Sequence, residues 1–233
     1  MPKTQKTAPR TAAQAKADAA LALAWLEKNR SKKVLEGMAR YGLPSDKALG
    51  VSVGAIQKYG KQLGRDQALA DALWATDVYE ARLLASFVGE PDKLTPAVMD
   101  RWCRDFDNWG VVDTVCFKLF DQSPHAWDRI EPWAGMKGEF QRRAGFVLLA
   151  CVAAHVDAVP NEKFLRYLPL LEWGATDERN FVKKGVSWAL RMVGRQGPGL
   201  RHACGALAKK LTESDSDSAR WIGREALREF AKR

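Results

Sequence analysis

The stretch Glu139-Phe-Gln-Arg-Arg-Ala-Gly-Phe-Val147 opens with an acid, carries cations one turn later and continues with small and apolar residues. Stretches with the same order begin at Asp77, Asp177 and Ser216, and successive starts are separated by 62, 38 and 39 residues. The first gap holds residues 108–120, which have the pattern of one further helix. A period of roughly 30 to 40 residues built from helix pairs is typical of HEAT-like repeats. The recurrence therefore predicts an all-α, HEAT-like helical-repeat solenoid, that is, an α-α superhelix with a concave basic face.

Capping residues locate the predicted helices. Apolar residues recur at intervals of three and four, without an alternation of period two, which indicates helices. Ser52, Thr95, Ser123 and Asp177 have the character of N-caps, and the glycines that alternate with them are typical stop signals. These glycines are Gly42, Gly64, Gly89, Gly135, Gly174 and Gly197. We predict about twelve helices of roughly 10 to 18 residues, joined by short loops that make neighbours antiparallel. The predicted inner helices are 108–120, 138–154 and 177–193.

The domain organisation follows from length and composition. The chain has 233 residues and no break in composition, which predicts a single HEAT-like repeat domain over residues 18–233. The first 17 residues contain no acid and several lysines and arginines, so they weakly resemble a transit peptide. We interpret residues 1–17 as a flexible basic N-terminal tail instead. Asp18 and the charged residues 27–33 argue against a secretory signal.

The charge of the chain points to a polyanionic partner. The formal net charge is +9 and the pI is near 9.5. A basic chain with 46% apolar residues is not a disordered one, and such chains usually bind nucleic acid or another polyanion. Ordinary solubility charge is the alternative interpretation.

Several classes of function find no support in the sequence. The four cysteines form no Cys-x-x-Cys pair and the three histidines are scattered, so we expect reduced buried thiols, a cytoplasmic protein and no metal site. No phosphate-binding or dinucleotide-binding glycine pattern occurs, so we expect no cofactor. The longest apolar run, residues 145–154, is too short to span a bilayer and predicts a core helix instead.

Two tryptophans and one carboxylate form the candidate site. Trp109 and Asp113 are four residues apart and therefore share a helix face. Lys184, Trp188 and Arg191 have the same relation on a later helix, which presents a cation, an indole and a second cation. A carboxylate walled by aromatic rings and surrounded by cations suits a cationic, sugar-like transition state held against a phosphate backbone. This combination points to DNA and to a glycosidic bond.

The remaining cations of the candidate site open the two later helices. Arg142 and Arg143 begin one helix, and Lys183 precedes Lys184 on the other. The predicted DNA-contacting residues are Arg142, Arg143, Lys183, Lys184 and Arg191. Each part of the site also has a simpler interpretation. A tryptophan at helical spacing is usually core, Asp113 near Arg143 is often just an ion pair, and the two lysines fit a solvated face.

Three motifs carry a resemblance to a known family. They are Trp109-x-x-x-Asp113, Arg142-Arg-Ala144 and the stretch Asp177–Arg191, which contains Glu-Arg-Asn-Phe-Val-Lys-Lys and Trp-Ala-Leu-Arg. With residues 75–85 and 219–229, they resemble the AlkD-type DNA glycosylases, bacterial DNA alkylation repair enzymes built from HEAT-like repeats. The resemblance covers roughly residues 20 to 230.

The resemblance implies both an activity and roles for particular residues. Trp109, Asp113 and Trp188 would form the catalytic cleft, and Arg143 would hold backbone phosphate. Members of the family hydrolyse the N-glycosidic bond of positively charged N3- and N7-alkylated purines in duplex DNA, as part of base excision repair. A cationic base is already a good leaving group, so no strong general acid is needed.

Two other functions stay open at this point. One is a non-catalytic HEAT-repeat protein that binds damaged or branched DNA, since the fold does not decide between binding and catalysis. The other is a helical scaffold for an acidic protein partner, which predicts cations spread around the surface. Asp113 and its two tryptophans favour the enzyme. We therefore expect a monomeric, cytoplasmic bacterial DNA glycosylase that is nucleoid-associated when bound to DNA.

Overall fold

The computed structural model describes residues 10–43, 46–156 and 158–232. The chain is 74% helix, and no strand occurs in these three ranges, so the predicted all-α class is confirmed. The residues form two compact units, one that ends at Lys93 and one that begins at Leu94. Each unit is described separately below.

The N-terminal unit contains five α-helices and two 3-10 turns among its described residues. The helices are α1 (Ala12–Lys28), α2 (Lys32–Met38), α3 (Val53–Leu63), α4 (Gln67–Trp74) and α5 (Tyr79–Val88), and the 3-10 turns are Ala39–Tyr41 and Pro91–Lys93. The predicted tail of residues 1–17 overlaps α1, because Thr11 and Gln14 form a capping box that starts this helix at Ala12. Residues 1–9 lie outside the described ranges.

The C-terminal unit contains nine α-helices among its described residues. They are α6 (Pro96–Arg104), α7 (Trp109–Lys118), α8 (Ala126–Ala134), α9 (Glu139–His155), α10 (Asn161–Leu165), α11 (Leu168–Gly174), α12 (Asn180–Gly194), α13 (Pro198–Thr212) and α14 (Asp217–Phe230). A 3-10 turn, Phe120–Gln122, follows α7. Helices α7, α9 and α12 correspond to the three predicted inner helices and differ from them by at most three residues at each end.

Helix α9 is the core of the C-terminal unit. All its residues from Arg143 to Ala153 are buried, and it packs against α7, α8 and α12. Gly145 permits the approach of α8, because a Cβ atom at this position would lie 2.3 Å from the backbone nitrogen of Ala134. The apolar run 145–154 is therefore a core helix, as predicted.

Three of the predicted boundary signals were wrong, and each has a local reason. Ser123 accepts a hydrogen bond from the backbone of His125 in a turn, and α8 begins only at Ala126. The Asp177 carboxylate binds arginine side chains, and α12 begins at Asn180. Gly197 is the N-cap of α13 and does not end α12.

The predicted helix lengths also need correction. The described residues hold 14 α-helices, not about twelve, and the shortest of them, α10, has five residues. A helix of one or two turns shows too few repeats of the apolar pattern to be recognised from sequence. Within the described ranges, no helix is both long and apolar enough to cross a membrane.

Candidate functional site

Asp113 of α7 and Arg143 of α9 form the centre of the candidate site. Nε of Arg143 donates a hydrogen bond to Oδ1 of Asp113 at 2.9 Å, and Nη2 donates to Oδ2 at 2.7 Å. Nη1 donates to the backbone oxygen of Phe181, in the first turn of α12, at 2.6 Å. One guanidinium therefore connects three helices that come from different parts of the sequence.

The two partners of this ion pair differ in their access to solvent. The Asp113 side chain is 22% exposed, whereas that of Arg143 is 6% exposed. Burial raises the pKa of the Asp113 carboxyl above its usual value, and the charge and hydrogen bonds of Arg143 oppose this rise without cancelling it. A ligand can therefore reach the carboxylate, and the buried Arg143 fixes the orientation of this carboxylate from its protein-facing side.

Aromatic side chains lie on both sides of Asp113 along α7. Trp109, one turn before it, and Phe117, one turn after it, are both partly exposed. The Phe117 ring stacks against Trp188 of α12, with centroids 6.5 Å apart and an interplanar angle of 25°. Trp109 and Trp188 thus lie on two helices that both pack against α9, and Phe117, which the sequence did not indicate, lies beside them.

Two of the predicted DNA-contacting arginines are paired within the protein. Nη1 of Arg142 donates to Asp177 at 2.8 Å, and its guanidinium lies 4.8 Å from the ring centroid of Trp173. Nη1 of Arg191 donates to Glu229 at 2.9 Å. Sequence inspection gave no sign of these ion pairs, because the partners are 35 and 38 residues apart.

The carboxylates that hold these arginines are themselves strongly stabilised as anions. Burial acts to raise the pKa of Asp177, but hydrogen bonds from Arg179 and Arg142 outweigh it and lower this pKa to about 2. Burial likewise acts to raise the pKa of Glu229, but the hydrogen bonds and charges of Arg191 and Arg195 outweigh burial and lower this pKa. Arg142 and Arg191 are therefore paired with ionised carboxylates at neutral pH. A DNA phosphate would have to compete with these carboxylates to bind either arginine.

The predicted lysines differ from the arginines. Lys184 is exposed, and Lys183 is half-buried with its Nζ atom 5.3 Å from the ring centroid of Trp221 in α14. Arg143, in contrast, has little exposed surface and uses three of its five N–H groups on Asp113 and Phe181. This geometry fits a residue that positions Asp113, and it does not fit the phosphate contact expected for Arg143 from the sequence.

An acid–imidazole pair lies near the C-terminal end of α7. Asp121, in the 3-10 turn after α7, has a fully buried side chain that contacts Nδ1 of His155 at the end of α9. The His155 ring meets Phe117 edge-on, with centroids 4.2 Å apart. No local pattern in the sequence marks this pair, because 34 residues separate its members.

No metal site is evident in the described part of the chain. No group of three or more histidine, cysteine, aspartate or glutamate side chains is placed there to hold an ion. All four cysteines are buried, and burial raises the thiol pKa of each. These thiols are therefore neutral packing groups at physiological pH.

Comparisons with known proteins agree with this architecture. One solved structure, described as that of a new family of proteins related to the HEAT-like repeat DNA glycosylases with affinity for branched DNA structures, matches 90% of this chain and 94% of its own. The TM-score is 0.74 and the sequence identity 20%, so the match shows a common fold. No curated protein gave a significant match. The family described as DNA alkylation repair enzyme matches residues 22–230, and the chain therefore belongs to this family.

Proposed function

We propose that the protein is a DNA glycosylase that excises positively charged N3- and N7-alkylated purines from duplex DNA. The observation that carries this proposal is the Asp113 carboxylate. It is partly exposed, held by two hydrogen bonds from a buried arginine, and flanked by aromatic rings one turn away on either side. Membership of the DNA alkylation repair family supports the same class of substrate.

In the proposed mechanism, Asp113 stabilises the sugar as the base departs. Loss of a cationic base leaves an oxocarbenium-like sugar, and a carboxylate about 4 Å away at an effective dielectric near 20 gains roughly 4 kcal/mol. This energy corresponds to roughly a thousandfold in rate. It is an upper value, because the positive charge of Arg143 offsets part of the attraction between the carboxylate and the sugar.

The aromatic side chains act on the same cationic sugar. Trp109 and Trp188 would wall the sugar, and each indole face adds about 0.5 to 2 kcal/mol through cation–π contact. The carboxylate also positions the water that completes the hydrolysis. No residue needs to protonate the leaving base, since its alkyl group already gives it a positive charge.

The direct test is base release from methylated DNA. We expect the purified full-length protein to release 7-methylguanine and 3-methyladenine from N-methylated duplex DNA in a single-turnover assay, at rates well above spontaneous depurination. Chromatography of the released bases measures this. Tight binding of the same duplex without any base release would refute the proposed activity.

The pH dependence of excision should report on Asp113. Only the ionised carboxylate stabilises the cationic sugar, so the excision rate should fall as the pH drops through the pKa of Asp113 in the folded protein. This pKa is raised by burial, and the acid limb should therefore lie above about 3.9, the usual value for an aspartate. Single-turnover rates, corrected for spontaneous depurination and with circular dichroism as a check on folding, measure the limb. A midpoint at or below the usual value would contradict this assignment.

The exposed Lys184 should contribute to DNA affinity and not to the rate of base release. We expect Lys184→Gln to weaken duplex binding and to reduce the slope of log affinity against log salt by about 1, whatever the DNA sequence. Arg143→Met should leave this slope unchanged, because Arg143 is buried against Asp113. Fluorescence anisotropy at several salt concentrations measures both. A slope reduced by Arg143→Met alone would restore the phosphate role that the sequence predicted for Arg143.

A second candidate function is supported by the structural match. The matched structure is described as having affinity for branched DNA, and a chain with the same fold can have that property with or without catalysis. We expect the affinity for a four-way junction to exceed that for a linear duplex of equal length only if this second function applies. If the protein prefers junctions and releases no alkylated base, branched-DNA binding replaces the glycosylase proposal.

A further inference from the structure

His155 and Asp121 form a buried acid–imidazole pair that the proposed chemistry does not use. The Asp121 side chain has no exposed surface, and its Oδ2 atom contacts Nδ1 of His155. The His155 side chain is 34% exposed. Since Nδ1 is occupied by the carboxylate, the nitrogen left to meet a ligand is Nε2.

The pair lies beside the candidate site. Asp113 and Phe117 are four residues apart and share one face of α7. His155 meets the edge of Phe117, whose ring stacks with Trp188. With about 5.4 Å per helical turn, His155 is on the order of 10 Å from Asp113.

We propose that His155 is a DNA-backbone contact, in which Nε2 donates a hydrogen bond to a phosphate near the sugar held at Asp113. This inference rests on the proposed function for the location of that sugar. A DNA strand carries one phosphate per about 3.4 Å of helix axis, so a residue on the order of 10 Å from the sugar meets the backbone a few nucleotides away.

The charge of the pair gives the sign of its effect on binding. With both groups deprotonated, the pair has a net charge of −1 and repels phosphate. With one proton bound, the net charge is zero, and the Nε2–H group can donate to a phosphate oxygen. Uptake of a proton therefore removes a repulsion and supplies a donor, and both effects strengthen binding as the pH falls.

The other charged and titratable groups nearby do not reverse this sign. Lys118 lies over the Phe117 ring, with Nζ 4.6 Å from the ring centroid, and its positive charge attracts phosphate. Cys151, one turn earlier on α9, is buried with a pKa raised well above its usual value, so it stays neutral. On α12, the cations within about one turn of Trp188 are Arg191, which is paired with Glu229, and the exposed Lys184. Asp157 lies outside the described residues.

The test measures binding of undamaged duplex DNA, which requires no excision. We expect the wild-type affinity to rise as the pH is lowered from about 8 to about 5.5, and the salt slope to increase by about 1 over this range. His155→Gln keeps a group that can donate to Asp121 and should lose most of this pH dependence. His202→Gln, which alters the exposed histidine of α13, is the matched control and should retain it.

A second measurement keeps the proposal testable if His155→Gln folds poorly. The imidazole ¹⁵N shifts of the wild-type protein, followed during titration with the same duplex near pH 7, should show DNA-linked protonation of His155. Equal pH dependence in the wild type and His155→Gln, or imidazole shifts that do not respond to DNA, would overturn the proposal. Because neither experiment uses alkylated DNA, a negative result here leaves the glycosylase proposal untouched, and a failure of base release leaves this binding test valid.

Discussion

Asp113→Asn should cut excision of alkylated purines by about a hundredfold or more. The substitution preserves the size of the side chain and removes the negative charge that the cationic sugar requires, which corresponds to a loss of a few kcal/mol of electrostatic stabilisation. DNA affinity should change little, since the lesion is one contact among many phosphates. The effect should be greatest for N7 lesions, which are less labile and need more help from the enzyme. Single-turnover excision and anisotropy on the same preparations measure both quantities.

The control for this experiment is Asp128→Asn, which makes the same chemical change at an exposed aspartate in the first turn of α8. It should excise at the wild-type rate. If Asp113→Asn folds normally and also releases 7-methylguanine at the wild-type rate, the catalytic assignment is wrong, and branched-DNA binding becomes the leading function.

Arg143→Met should produce the largest loss of stability among the variants considered. It leaves the Asp113 carboxylate without its partner in a largely buried position, and breaking a buried pair costs about 3 to 5 kcal/mol. Because Asp113 is 22% exposed, we expect about 2 to 4 kcal/mol, measured by urea denaturation at neutral pH. The surface variant Arg228→Met, which removes an exposed pair with Glu225, should change stability by less than about 0.5 kcal/mol.

The pH dependence of this loss has a definite sign. Arg143 lowers the pKa of Asp113 against the effect of burial, so its removal raises that pKa further. A carboxyl whose pKa is raised by folding destabilises the folded state when it is ionised. The loss of stability in Arg143→Met should therefore shrink as the pH falls and Asp113 takes up a proton.

The double variant Asp113→Asn/Arg143→Met should lose less stability than the two single variants added together, since neither partner is then left charged and unpaired. Strict additivity would show that the two residues act independently.

The sequence predicted the parts of the fold and site that depend on local spacing. Trp109 and Asp113 share a helix face because four residues separate them, and the apolar run 145–154 forms the core because every face of α9 is covered. The repeat of cations one turn into successive helices likewise located α9 and α12. These features depend on the period of the helix, and a single sequence contains that period.

The parts that the sequence did not predict depend on distant partners. Glu229 pairs with Arg191, Asp121 contacts His155, and Phe117 stacks on Trp188, although at least 34 residues separate the members of each pair. No local pattern marks which of several carboxylates a given arginine will meet. Phe117 has the one signal that was available, since it repeats the four-residue interval from Trp109 and Asp113.

The guanidinium of Arg143 also has a mechanical consequence. Repeat proteins deform by small rotations of each helix against the next, and these rotations accumulate along the stack. Arg143 ties α9 to α7 and to α12 at once, so these three helices resist relative rotation where the carboxylate lies. We expect these three helices to move as one rigid body within the C-terminal unit. If a duplex binds there as proposed, any bending of the DNA would cost about 1 to 6 kcal/mol, depending on the flexibility of the DNA. Lesions that soften the duplex would then be favoured by their elasticity before any chemistry begins.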